Sequence, residues 1–166
     1  MRKILIPICL FLIIASCQNK TENKSLSNNQ KQIEMNTTTE EKAIEKMLFS
    51  YRDALNTSDV NKVLTLYTSD GVFMPSNAPS AVGQEQIKAS YEFVFKTIQL
   101  KIEFFIDEIQ VNGDFAFART TSKGTTLIHA NGQTVPEENR ELFVFEKVKG
   151  EWKIARYMFN KTEPKL

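Results

Sequence analysis

Between Tyr51 and Pro75 the chain reads YRDALNTSDVNKVLTLYTSDGVFMP, and this stretch limits the fold more than any other. It asks for the end of one helix, a tight corner, a second short helix and a strand. Before the corner, Ile44, Met47, Leu48, Tyr51 and Leu55 recur at helical spacing and form one apolar stripe. After Asn56-Thr57, either Ser58 or Asp59 can cap a new helix, because a short side-chain oxygen accepts from N–H groups that a first turn leaves free. Val60, Val63, Leu64 and Tyr67 predict a second stripe. Asp70-Gly71 is expected to end it, since glycine accepts the backbone angles of a helix C-terminus. Gly71-Val72-Phe73-Met74 then reads as a short buried strand, closed by Pro75, which has no N–H for a ladder.

The chain ahead of this stretch reads as an address and a spacer. Arg2 and Lys3 are followed by an apolar run, Ile4 to Ile14, that is shorter than the roughly 20 residues a membrane-spanning helix needs. Ile14-Ala15-Ser16-Cys17 follows and resembles the bacterial lipobox, whose cysteine receives a diacylglycerol and becomes the mature N-terminus. The resemblance implies a leader over residues 1–16 and lipidation at Cys17. It also implies a protein held to a membrane of the bacterial cell envelope, facing the periplasm or cell surface. Cys9 and Cys17 are the two cysteines, so the domain beyond would hold no disulfide, thiol nucleophile or thiolate metal site. Residues 17–37 are Asn, Gln, Lys, Ser and Thr with little to bury, which predicts a flexible tether. Thr38 and Glu41 have capping-box spacing and place the start of a domain over 38–162. With 21 basic against 20 acidic residues, the charge gives no sign of a nucleic-acid partner.

After the strand, Asn77 to Val82 reads as a loop. Ile87, Tyr91, Val94, Phe95 and Ile98 then predict a third helix from Gly83. Everything after Gln99 reads as antiparallel sheet. Asn112-Gly113, Asn131-Gly132 and Lys149-Gly150 are hairpin turns between alternating segments. Three helices followed by sequential hairpins give an α+β fold with the helices on one face of the sheet.

The pattern YxxALNxxDxxxVxxLYxxDxVFxP, a helix opened by VGxExI and a final strand in GEWKIARYMF resembles the nuclear transport factor 2-like superfamily. Within it, the chain is similar to SnoaL-like, SgcJ/EcaC-type and ketosteroid-isomerase-like domains over about Thr39 to Asn160. The resemblance implies a cone-shaped α+β barrel: three N-terminal helices on a curved antiparallel sheet, around an apolar pocket, in a homodimer formed through the sheet. The superfamily holds isomerases, cyclases, dehydratases and epoxide hydrolases beside non-enzymatic modules, so the fold alone does not give the function.

Against the isomerases, Tyr51 falls where a tyrosine donates to a developing oxyanion, a role suited to a fixed donor in a dry pocket. It reads equally as one more core position of the first helix. The isomerase base position falls on or beside Pro75, where no acid stands, and proton abstraction without a base loses about 10²–10⁴-fold. The second isomerase acid falls near Leu142, and Glu141, one residue away, belongs to the opposite face of a strand unless the register is off by one or a bulge intervenes. Against the epoxide hydrolases, Arg-x-Asp becomes Arg119-Thr120-Thr121, with Glu103 and Glu141 as carboxylates that could face Arg119; Arg119 reads as well as an exposed strand charge. Tyr157 and Phe159 are expected to wall the pocket, with Phe73, Tyr91, Phe143 and Thr121 also lining it. His129 cannot hold a metal alone, and no acidic cluster is spaced for one, so neither metal nor cofactor is expected.

These residues predict a membrane-anchored binding domain for a small apolar or aromatic molecule. One alternative is an enzyme of the cyclase, isomerase or dehydratase type built on Tyr51 and an Arg119–carboxylate pair. The other is a dimeric module whose partner binds the open sheet face.

Overall fold

The computed structural model describes residues 20–162, with side chains from residue 37 on. Contacts divide the chain into units 1–35 and 36–166. The leader and Cys17 lie outside the described residues. Of the first unit, backbone from Lys20 is described and it is helical.

Helix α1 spans Lys20–Asn56. The tether predicted over 17–37 is therefore corrected from Lys20 on, and Thr38 and Glu41 lie inside a helix rather than at its cap. Residues 18–37 contain no Gly or Pro, and extending a helix that already exists avoids the cost of nucleating one. The corner follows as expected. Ser58 adopts a positive φ of 53°. Asp59, the cap of α2 (Val60–Leu66), accepts from the Lys62 N–H. Strand β1 then starts at Tyr67 and runs to Met74. Tyr67, expected on the second helical stripe, and Asp70-Gly71, expected to stop it, thus both stand in the strand. Ala81–Val82 form a short β2 inside the predicted loop and pair with β1. Helix α3 is Gly83–Thr97.

Four long strands follow: β3 (Ile98–Asn112), β4 (Phe115–Ile128), β5 (Gln133–Val148) and β6 (Glu151–Lys161). The three predicted Gly turns join them. The sheet has six strands in the order β2-β1-β6-β5-β4-β3. It is mixed, because β1 runs parallel to β6, whereas a purely antiparallel sheet was expected. Nor does it close, since β2 and β3 are its edges. Pro136 sits in β5 beyond the end of β6, where β4 is the one neighbour, a place that tolerates a missing N–H.

Three helices pack on the inner face. The ring of Tyr51 from α1 meets Phe104, Phe143 and Tyr157 of three strands at centroid distances of 6.1, 5.7 and 5.4 Å. Tyr91 of α3 stacks on Phe73 of β1 at 4.8 Å. A register shift beside Phe145 lets Ile154, Ala155 and Tyr157 all be buried, though strict alternation would split them between faces. At Gly124 of β4 an added Cβ would lie 2.1 Å from the Lys101 carbonyl oxygen of β3. Only glycine fits so close an approach.

Candidate functional site

Helices α1 and α3 stand over β1, β3, β5 and β6 and leave a cavity of about 130 Å³ between them. Tyr51, Leu55, Tyr91, Leu100, Ile102 and Phe159 are among its mostly apolar walls. On the helix side the Tyr51, Tyr91 and Tyr67 hydroxyls form a chain: Tyr51 hydrogen-bonds Tyr91, and Tyr91 and Tyr67 lie 3.1 Å apart. Burial pushes all three phenols well above their ordinary range, so they remain protonated donors.

The opposite wall is polar. Glu137, Asn139 and Glu141 alternate along β5 and all point inward. Tyr157 donates to Glu141 Oε1 at 3.0 Å, and Thr120 donates to Oε2. Burial is the largest influence on the Glu141 carboxyl and raises it. Hydrogen bonds from Thr120, Tyr157 and Ser122 pull it part of the way back, and the nearby Glu137 adds to the rise. Glu137 accepts from Thr126 at 2.9 Å and Asn139 at 3.0 Å, and pairs with Lys161 at 3.1 Å. Asn139 also donates to Ser122 at 3.2 Å, while among the described residues no donor reaches its buried Oδ1. A raised carboxyl beside fixed hydroxyls, in a site largely shielded from water, can bind a neutral polar group or exchange a proton with one.

The SnoaL-like domain model matches residues 49–157, which includes both walls of this cavity. The chain belongs to the SnoaL-like domain family. A ketosteroid isomerase-like protein from Erwinia carotovora atroseptica is 35% identical, with a TM-score of 0.71 over 74% of this chain and 95% of the other. A nuclear transport factor 2-like superfamily protein from Salmonella enterica serovar Typhimurium aligns over 76% and 94% at 21% identity, TM-score 0.69. A conserved protein from Planctomyces limnophilus aligns over 75% and 99% at 21% identity, TM-score 0.65. The last two establish the fold alone. No curated protein matches the chain.

In this SnoaL-like domain the residues singled out from the sequence separate into two groups. Tyr51, Phe73, Tyr91, Glu141, Tyr157 and Phe159 line the cavity, and Phe143 lies fully buried beneath it, 4.2 Å from Tyr157. Glu103, Arg119 and Thr121 do not reach it, which corrects their expected place. Arg119 is exposed on the outer face, 3.1 Å from Asp107 and 3.7 Å from Glu108. Thr121 donates to Asp107 there, and Glu103 pairs with Arg52 at 2.9 Å. The register shift between Ile106 and Glu108 brings Asp107 and Glu108 to Arg119. The phase around Glu141 is corrected too: Glu141 is the inward residue and Leu142 is 40% exposed. Pro75, on or beside which the isomerase base was expected, lines the cavity. His129 is exposed, with Nδ1 2.9 Å from the Lys96 carbonyl oxygen. Among the described residues no cluster of His, Cys, Asp and Glu could hold a metal.

Glu137 and Asn139 were missed. A signal was available. In QTVPEENRELFVFEKV the residues Glu137, Asn139, Glu141, Phe143 and Phe145 share one phase, and Phe143 and Phe145 identify it as the buried one.

Proposed function

We propose that the cavity binds a small, mostly apolar molecule, and that binding rather than established catalysis is what the domain provides. The observation that carries this reading is a cavity with apolar walls and one polar wall, Glu137–Asn139–Glu141, the usual make-up of a small-molecule site. A thermal-shift and ligand-observed NMR screen of single-ring and short-chain compounds tests it. Binders competing for one site support it, and displacement of all of them by filling the space with Leu100→Trp fixes the place. A screen without binders removes it.

The second reading is an acid–base enzyme of the isomerase or dehydratase type, favoured by the raised Glu141 carboxyl beside Tyr157. The Arg119 part of that reading falls away with the outward place of Arg119. In its place Glu141 would take a proton from carbon next to a carbonyl, and the Tyr51–Tyr91 pair would donate to the resulting oxyanion. The SnoaL-like protein should then exchange deuterium from solvent into a bound ketone, and Glu141→Gln should abolish the exchange. Exchange that survives Glu141→Gln removes Glu141 from the chemistry.

Two features of the whole chain complete the proposal. The lipobox supports a lipid on Cys17 and attachment to a membrane of the cell envelope; Cys17→Ala should move the chain from the membrane to the soluble fraction. The outer sheet face exposes Phe105, Phe117, Leu142 and Met158, which supports a homodimer through that face. Sedimentation of wild type against Leu142→Lys tests it.

A further inference from the structure

The cavity has a closed end and an open one, and the contrast decides which end of a ligand enters, an inference that rests on the binding reading above. At the closed end Tyr51, Tyr91 and Tyr157 are 0, 2 and 4% exposed. Pro75, Val94, Ile98, Leu100 and Phe159 line the same cavity but are only half-buried. They stand where elements end or begin. Pro75 follows β1, Val94 is in the last turn of α3, Ile98 and Leu100 open β3, and Phe159 is near the end of β6. The mouth is therefore rimmed by apolar side chains.

Inside, the polar groups of the wall are engaged with one another. Both oxygens of Glu141 are taken, Oε1 by Tyr157 and Oε2 by Thr120. Both amide hydrogens of Asn139 are taken, by Ser122 and Glu137, and its Oδ1 is shut off even from a molecule the size of water. Glu137 accepts from Thr126 as well and pairs with Lys161. A hydroxyl or carboxylate pushed toward the closed end would lose its water and meet groups already bonded, which is costly. An apolar end gains by leaving water. Toward solvent the balance reverses: Lys161, which reaches Glu137 from outside, is 60% exposed, and a polar head there stays hydrated.

We propose that the ligand is a short amphiphile that enters apolar end first and leaves its polar head in water at the mouth. The volume, about 130 Å³, is close to the roughly 150 Å³ of an apolar cavity known to take up benzene. The apolar end is thus one ring or an unbranched chain of about six carbons. Further carbons would remain at the mouth.

The test is calorimetric titration of the full chain with butanol, hexanol, octanol, 1,6-hexanediol and hexanoate. Affinity should rise roughly fourfold per methylene from butanol to hexanol, and by less than about twofold per methylene from there to octanol. Hexanediol has the length of hexanol, but one of its hydroxyls would have to enter, so it should bind roughly tenfold more weakly or worse. Hexanoate should stay within about threefold of hexanol, because water and salt at the mouth screen its charge. Leu100→Trp, which fills the space, should weaken them all. Circular dichroism shows whether that variant is folded; if it is not, the wild-type series decides. Hexanediol binding as tightly as hexanol overturns the orientation, since the closed end would then offer an open polar partner. Hexanoate more than about tenfold from hexanol overturns the placement of the head in water. Affinity that climbs at one rate through octanol, or that survives Leu100→Trp, puts the chain outside this cavity and overturns the proposal. Failure of the whole series while the screen above finds binders overturns this inference alone; failure of both removes the binding reading too.

Discussion

The two faces of β4 and β5 use the same strands in opposite ways. Inside, Thr120, Ser122, Glu137, Asn139 and Glu141 bury polar groups, the last three at the cavity wall. Outside, one residue along, Phe117 and Leu142 are exposed beside Arg119. A half-buried antiparallel strand normally places apolar side chains inward and polar ones outward. Toward the Lys149-Gly150 turn the rule holds, with Phe143 and Phe145 fully buried. In the middle of the sheet it is inverted. Buried polar groups are tolerated when they satisfy one another, and here nearly all do. The difference separates a part of the domain built for stability from a part built to hold something.

The sharpest way to break that contrast is to truncate adjacent residues on opposite faces. Phe143→Ala removes a fully buried ring stacked on Tyr157 and Phe145. It should cost about 3–5 kcal/mol in urea denaturation. Leu142→Ala, next in sequence, should stay within about 0.5 kcal/mol where the protein is dilute enough to be monomeric, and lose more where the proposed homodimer covers it. Equal losses would mean that the outer face is itself covered, by a second copy or another partner.

Gly124→Ala tests how tightly the sheet is folded at the polar end. The new Cβ would meet backbone of β3 rather than a side chain that can swing away. A loss of about 1–3 kcal/mol is expected. A neutral substitution would show that β3 and β4 can separate there, and that the cavity's polar end is looser than its aromatic end.

Much of this contrast could be read from the sequence, but not its central part. The helical stripes, the Asp59 cap and the three Gly turns are local signals, and they placed α2, α3 and the four long strands. The cavity's aromatic side, Tyr51, Phe73, Tyr157 and Phe159, was placed by those stripes together with the register that the family resemblance implies. Arg119 was misplaced because an ion pair was sought inside the cone, whereas the shift beside Asp107 supplies carboxylates on the outer face. Glu141 was assigned to the wrong face because the register was taken from the isomerase position near Leu142, while its phase with Phe143 pointed inward. Tyr67 was read as helical because one aromatic at helical spacing also fits a strand start. The parallel pairing of β1 with β6 joins distant parts of the chain, and no local pattern encodes it.

Titration sharpens the comparison through two glutamates of opposite behaviour. Burial raises Glu141 in the folded chain, so the fold binds its proton more tightly than the unfolded chain does. Its contribution is therefore most favourable below the ordinary carboxyl value of about 4.3. It falls as pH rises from there through the raised folded value, then levels off. Glu40 on α1 is lowered, first by its hydrogen bond from Lys147 and then by that from Trp152. Its contribution is present above about 4.3 and is lost as pH falls. Denaturation from pH 4 to 8 should show Glu141→Gln gaining on wild type as pH rises. Glu40→Gln should instead lose ground over the lowest part of that range, by a smaller amount because Glu40 is partly exposed. Parallel curves for Glu141→Gln and wild type would mean that the carboxyl is solvated and that the inner wall is wetter than its packing indicates.

The smallest expected effect falls on the outer face, at Arg119. Its guanidinium is 56% exposed and lies 3.1 Å from Asp107. Solvent screens such a pair, so Arg119→Ala should change stability by less than about 1 kcal/mol, and by less still in high salt. It should leave the binding of cavity ligands unchanged, because Arg119 faces away from the cavity. Leu100→Trp should do the reverse, displacing the cavity's ligands while leaving the outer face untouched. If Arg119→Ala weakened ligand binding several-fold, the strand phase around Thr120 would be wrong, and an arginine–carboxylate pair inside the cone would return as the anchor. Affinities measured for these two variants on the same ligand series thus decide which face of β4 holds the site.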